Sequence, residues 1–278
     1  MPMQTLYITI AEHQLVMELP SGPLLDWAVP KFSASVIPPL SSKTEQPDLH
    51  VTVSAPYGQP FRGYDVEIAR DETSIRYDRG DYLLTVSRDF RRAEVAVYDD
   101  FALNHALMLL YSGFIAYRGW GLMTHASCIA QGSSAYLFAG QSGAGKSTAA
   151  LLSRPRPVLS DEAALIRVAP DGIRVYNSPF RSDSVWDADE RGMSCELKGY
   201  HLLRQSLEIK REPIRSSEAM LYLMRTIFYW HFDPQETAKV ISMCRTFAEK
   251  VPFYELYFQK NDKFWEEISD EQPAAEYV

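Results

Sequence analysis

The chain has 278 residues, 46% hydrophobic and 23% charged, with a net charge of −8. That is a balance for one large or two modest globular domains, not for a disordered or low-complexity chain. The acidic balance argues against nucleic acid as a main partner, because affinity there comes from neutralising phosphates. No stretch approaches the roughly 20 apolar residues of a membrane-spanning helix, so no membrane partner is expected. The opening residues Met1, Pro2, Met3 and Gln4 lack the basic and apolar regions of a secretory signal. Cys128, Cys195 and Cys244 are too scattered for a disulfide framework or a metal cluster. A cytoplasmic location is the expectation.

Residues 1–99 read as a β-rich N-terminal module. Segments 6–10 and 15–19 are close enough to form a hairpin around Glu12, His13 and Gln14. Segment 49–53 alternates with a period of two, and strands are expected at 64–68, 73–77, 82–86 and 94–98. Residues 41–47 are polar, aperiodic and expected to be a loop. Arg79-Gly80-Asp81 reads as a turn between strands. No catalytic constellation stands out in this half, which suits recognition or assembly.

From Asp99 and Asp100 the period becomes helical, with Phe101, Leu103, Leu107, Leu110, Phe114 and Tyr117 on that spacing. Gly119 and Gly121 stop the helix, and two strands follow, 125–130 and 134–139. They lead into Gly140, Gln141, Ser142, Gly143, Ala144, Gly145, Lys146, Ser147 and Thr148, which fit G-x-x-x-x-G-K-[ST]. Glycines in such a loop let successive N–H groups point into one concavity that suits an anion. Lys146 would reach β- and γ-phosphate oxygens, Ser147 would ligate Mg²⁺, and the following helix would add its positive end. An apolar strand before the motif and the helix-forming run 148–152 after it are the context the motif requires. The expected ligand is a nucleoside triphosphate, with ATP and Mg²⁺ as the working choice.

A short strand, 158–160, then runs into Asp161 and Glu162, where a Mg²⁺-handling carboxylate is expected. If the strand continues, the two side chains point to opposite faces, so only one sits squarely on the metal. His125 opens the strand beside the loop strand and could reach the same end of the sheet. Strands 164–168 and 173–176 form a hairpin, and 177–193 reads as a surface loop over the site. Strands at 197–203 and 207–210, helices at 216–230 and from Asp233 onward, a strand at 253–258 and a helix at 262–268 complete the chain. The tail 270–278 is expected to fray. Lys198, Arg204, Lys210, Arg211 and Arg215 form a basic stretch that reads as a solvated face, with a role toward an anionic substrate left open.

The order His125-Ala126-Ser127, then the glycine-rich loop, then Asp161-Glu162, resembles the HPr kinase/phosphorylase family and its bacterial HPr-kinase-like relatives. The resemblance is carried by residues 124–161. It implies an α/β phosphate-loop kinase domain over 100–278, preceded by the β-rich module. It also implies Asp161 as the carboxylate that takes the proton of a substrate hydroxyl, with His125 tuning it and Lys146 on the nucleotide. Ser147, Asp161 and Glu162 would face the metal. The chain departs from that family in having Glu162 for a second Asp and Thr148 for a Glu, and it shows no match to the phosphorylase loop. Kinase relatives that phosphorylate a serine of a lasso-peptide precursor look like nearer company. The expected reaction is transfer of the γ-phosphoryl of ATP to a hydroxyl, foremost a serine of a protein or peptide. A small-molecule kinase and a non-catalytic nucleotide-binding regulator are the alternatives. Homo-oligomers occur in the resembled family, so self-association is allowed.

Overall fold

Several segments in the first hundred positions alternate apolar with polar residues, and a strand so patterned buries one face of a sheet. The computed structural model describes residues 2–32, 46–182, 192–229 and 233–269. Segments 41–45, 183–191 and 270–278, for which the sequence suggests loops and a tail, lie outside the described residues. The chain divides into two compact units, Met1–Tyr117 and Arg118–Val278. The helix at 100–117, which the sequence reading placed with the later residues, falls in the first unit.

In the first unit the elements are β1 (Met3–Ile10), β2 (His13–Pro20), α1 (Pro23–Phe32), β3 (Leu49–Ser54), β4 (Glu67–Arg70), β5 (Ser74–Asp78), β6 (Tyr82–Ser87), β7 (Arg92–Val97) and α2 (Asp100–Tyr117). The sheet order is β1-β2-β3-β7-β6-β5-β4. In β2 every second residue from His13 to Leu19 is buried, and β3 and β6 repeat the pattern. The helix α1 was not foreseen, because Pro23 and Pro30 disguise it. Pro23 opens the first turn, where its missing N–H costs nothing. Helix α2 is capped by Asp99, whose Oδ1 accepts from Ala102 N at 2.9 Å, and it packs on β6 and β7. The Arg79-Gly80-Asp81 turn is folded inward. Arg79 and Asp81 form a two-pronged ion pair (2.8 and 2.7 Å) with side chains only 3% and 2% exposed, and the guanidinium lies over Phe61 and Tyr82.

The second unit contains β8 (Gly121–Gln131), β9 (Ser134–Ala139), α3 (Lys146–Leu152), β10 (Val158–Ser160), β11 (Ala163–Ala169), β12 (Gly172–Tyr176), β13 (Ser194–Gln205), β14 (Lys210–Pro213), α4 (Ser216–Thr226), α5 (Pro234–Lys250), β15 (Phe253–Phe258) and α6 (Phe264–Ser269). The sheet order is β10-β8-β11-β12-β13-β15-β14, and β9 bridges β8 and β13. Because β8 pairs β11 with its first half and β9 with its second, the pairings run β8-β9-β13-β12-β11 and return to β8. Five strands thus close a ring, with β10, β15 and β14 attached outside it.

Helices α3, α4 and α5 all pack on β8, which explains its nearly continuous burial. Helix α5 starts as its sequence dictates: Asp233 caps it, accepting from Gln235 N (2.9 Å) and Glu236 N (3.2 Å), and Pro234 follows. Helix α4 stops at Thr226, short of the expected 230, because the chain turns extended to pair with β8. Ile227 bridges Thr124, and Phe228 N donates to Met123 O at 2.8 Å. Strand β13 reaches Gln205, and the expected strand at 207–210 is instead a turn before β14. Glu208 N donates to Ser206 Oγ at 3.0 Å, which makes that turn locally self-sufficient. No helix among the described residues is long and apolar enough to cross a membrane.

Candidate functional site

The glycine-rich segment lies where its neighbours put it, between β9 and α3. Gln141, Ser142, Gly143 and Ser147 are exposed, Gly140, Ala144, Gly145 and Thr148 half-buried, and Lys146 buried. Gly145 has a φ of 110°, and a Cβ there would come within 2.6 Å of the Phe258 ring, so both conformation and space demand glycine. Gly143 has a φ of 79° with open space around it. The Lys146 ammonium bends back to its own loop, donating to Gly140 O at 2.9 Å and Gln141 O at 3.4 Å. Burial alone lowers its pKa, so the charge lacks solvation that an incoming anion would supply. One brace carries no sequence signal: Gln205 Nε2, at the end of β13, donates to Gly143 O at 2.7 Å.

Strand β8 brings the second set of residues to the same place. Ala126 pairs with Ala139, the residue before the loop, on one edge. On the other edge Ala126 N donates to Glu162 O (3.1 Å), Ser160 Oγ to Ala126 O (3.2 Å) and Ser127 Oγ to Asp161 O (3.4 Å). The Asp161-Glu162 corner and the start of the loop therefore flank one short piece of β8. His125 is the single residue of that strand from Gly121 to Ala130 that is not fully buried. Its pKa is lowered, first by desolvation and then by the Lys146 charge, against an opposing hydrogen bond with the Glu162 backbone. His125 and Lys146 thus sit in one electrostatic environment, with the imidazole held neutral near pH 7. The Phe228 ring meets His125 edge-on at 5.9 Å.

Asp161 is buried and Glu162 half-buried. The Asp161 carboxylate accepts from Ser182 N at 3.1 Å and from Ser182 Oγ at 3.4 Å. Residues 177–181 are buried, which corrects the expected surface loop over 177–193 for its described beginning. The cause is Arg181. Its guanidinium donates to Ser178 O at 3.1 Å, to Asn177 Oδ1 at 2.6 Å and to Val158 O, so a buried charge is met by three oxygens. That clamp fixes the segment that holds Asp161. Arg181 was read from sequence only as part of a polar surface loop, and Ser182, Gln205 and Phe228 were not picked out, since none of them belongs to a motif.

The basic stretch is largely neutralised: Lys198 pairs with Glu196 (2.7 Å), Arg204 with Glu255 (2.7 Å) and Lys210 with Glu212 (2.8 Å). Among the described residues no three His, Cys, Asp or Glu side chains form a metal-binding group. Ser147 in the loop supplies a hydroxyl, and the Asp161-Glu162 corner, across Ala126 of β8 from the residue before the loop, supplies two carboxylates. A short set of hard oxygen donors suits Mg²⁺, which keeps waters and shares its shell with phosphates.

The model of the family described as SynChlorMet cassette protein ScmC matches residues 97–272, which include every residue of this site. The chain belongs to the ScmC family. A search of curated proteins finds no match to it. In this ScmC-family chain the matched region runs from the last residue of β7 through α6, so it takes in α2 and nearly all of the second unit.

Proposed function

We propose that the second unit is an ATP-dependent phosphotransferase of the HPr-kinase-like phosphate-loop type, acting on a hydroxyl of a protein or peptide, foremost a serine. The observation that carries the reading is the convergence on β8. The glycine-rich loop, the one accessible histidine of the strand and the Asp161-Glu162 corner all border residues 125–128. The loop's backbone and Lys146 cradle the β- and γ-phosphates, Lys146 exchanging its loop carbonyls for phosphate oxygens. Mg²⁺, held by Ser147 and Asp161 with Glu162 behind, would neutralise charge on the transferring group. The acceptor oxygen attacks the γ-phosphorus as the bond to the β,γ-bridging oxygen breaks, and its proton passes to the Asp161 carboxylate. Ser182 keeps that carboxylate aimed, and His125 stands at the same corner, tied to the Glu162 backbone. The family's description as a cassette protein says nothing of a reaction, yet it is compatible with an acceptor supplied by another product of the same cassette.

The test is transfer from γ-labelled ATP to co-expressed cassette products or cell extract. Asp161→Asn should lower transfer at least about a thousandfold while nucleotide affinity stays within about twofold, and Lys146→Ala should weaken both. Transfer by Asp161→Asn at the wild-type rate would sink the catalytic assignment. Nucleotide-stabilised melting with no labelled product from any acceptor would instead favour a regulatory nucleotide binder.

A further inference from the structure

Beside the loop lies a cavity of about 210 Å³, lined by Gly145, Thr148, Gln205, Leu207, Phe258 and Lys260 among others. Gly145 and Thr148 in its lining put it at the end of the loop where α3 starts, next to any phosphate chain bound there. Its far wall is the turn after β13. Leu207 in that turn is 89% exposed and lines the cavity, so its apolar surface is open to a ligand. Ser206 N donates to Phe258 O at 3.1 Å, Glu208 N to Ser206 Oγ at 3.0 Å, and Gln259 Nε2 to Leu207 O. Gln205, one residue before the turn, is the brace on Gly143. The exposed leucine and the phosphate loop are therefore parts of one rigid construction.

The geometry points to a nucleoside subsite: we propose that this cavity takes the purine base of the triphosphate bound in the loop, packed against Leu207. This rests on the phosphate-binding reading of the loop. The cavity is smaller than the roughly 300–1,000 Å³ of enclosing ligand sites, so it can grip a flat ring system but not surround a nucleotide. An apolar side chain and the Phe258 edge suit the face of a base. The ammonium of Lys260 and the amides of Gln205 and Gln259 suit its ring nitrogens and exocyclic groups. A purine offers more stacking surface than a pyrimidine and should be preferred.

The experiment measures binding of Mg²⁺-ATP, Mg²⁺-GTP, Mg²⁺-UTP and inorganic tripolyphosphate to the full chain and to Leu207→Ser and Leu207→Met. Leu207 is exposed, so neither change should disturb folding. The expected result is that wild type binds the purine triphosphates more tightly than UTP or tripolyphosphate. Leu207→Ser should weaken ATP and GTP about five- to tenfold with tripolyphosphate unchanged, and Leu207→Met should stay within about twofold. Equal affinity of wild type for ATP and tripolyphosphate, or equal weakening of both by Leu207→Ser, would overturn the subsite while leaving the loop reading intact. Failure of wild type to bind any of the four would overturn the loop reading itself, and the subsite with it.

Discussion

Strands β2 and β8 have opposite burial logics. In β2 buried and half-buried residues alternate without exception, whereas in β8 everything from Gly121 to Ala130 is buried but His125. The first is one side of a sheet facing a core; the second is a strand covered on both sides with a single opening. In a one-sided sheet, partial exposure is the rule at every second position and identifies nothing. In a two-sided one, a break in burial marks a place kept accessible, and here it falls at a titratable residue between a glycine-rich loop and a buried carboxylate. The two sheets also treat charge differently. The first unit encloses Arg79 and Asp81 as a finished pair, while the second leaves Lys146 on backbone carbonyls that an anion can replace.

The largest test of that contrast is Arg79→Met, which strands Asp81 without its partner at 2% exposure. It should cost about 3–5 kcal/mol, read as an early unfolding step in denaturant, with phosphate binding by the folded chain unchanged. Gly145→Ala forces a Cβ toward Phe258 in a left-handed conformation and should cost about 2–4 kcal/mol in thermal melts, together with nucleotide affinity. A melt identical to wild type would show that the loop has no fixed shape.

Acid should act on the second unit through His201. It is fully buried, stacked between Phe138 and Tyr254 (5.4 Å from each), and its pKa is pushed down to about 3 by burial and by Arg211. The folded state refuses a proton that the unfolded chain accepts near 6.5. Stability is thus intact above about pH 6.5 and falls as pH drops toward 3, by on the order of a few kcal/mol. Denaturant titrations of wild type against His201→Phe should show the slope flatten in the variant; equal slopes would assign the acid sensitivity elsewhere. Ser182→Ala removes the longer of two bonds to Asp161 and should slow transfer about threefold with ATP affinity unchanged. Gly143→Ala, where space is open and only the φ is unfavourable, should cost about 1 kcal/mol in thermal melts.

Much of this was legible in local pattern. The alternation of β2 and β3, the Asp233 cap and the strand-loop-helix setting of residues 134–152 follow from neighbours in sequence. Helix α1 was hidden by its prolines. The strand expected at 197–203 runs on to 194–205, and those ends were hidden because its pairing partners are distant: Tyr200 lies against Leu137 of β9 on one side and Phe253 of β15 on the other. Gln205 and Ser182 were invisible for the same reason: each matters through a bond to a residue 62 or 21 positions distant, and neither type nor spacing advertises it.

The closed ring of β8, β9, β13, β12 and β11 has a consequence for how the protein is made. Its strands are drawn from residues 121 to 205, and β13 is the last of them in sequence. On a ribosome, the glycine-rich segment emerges with β9 well before β13 exists to flank it, and Gln205 is the final residue of that strand. Such long-range pairing folds slowly, because loop closure precedes the contacts that reward it. Nucleotide competence should therefore appear late in synthesis, only after β13 and its turn have left the exit tunnel. Nascent chains halted before residue 205 should expose unpaired β8 and β9 edges and depend on chaperones until the ring shuts.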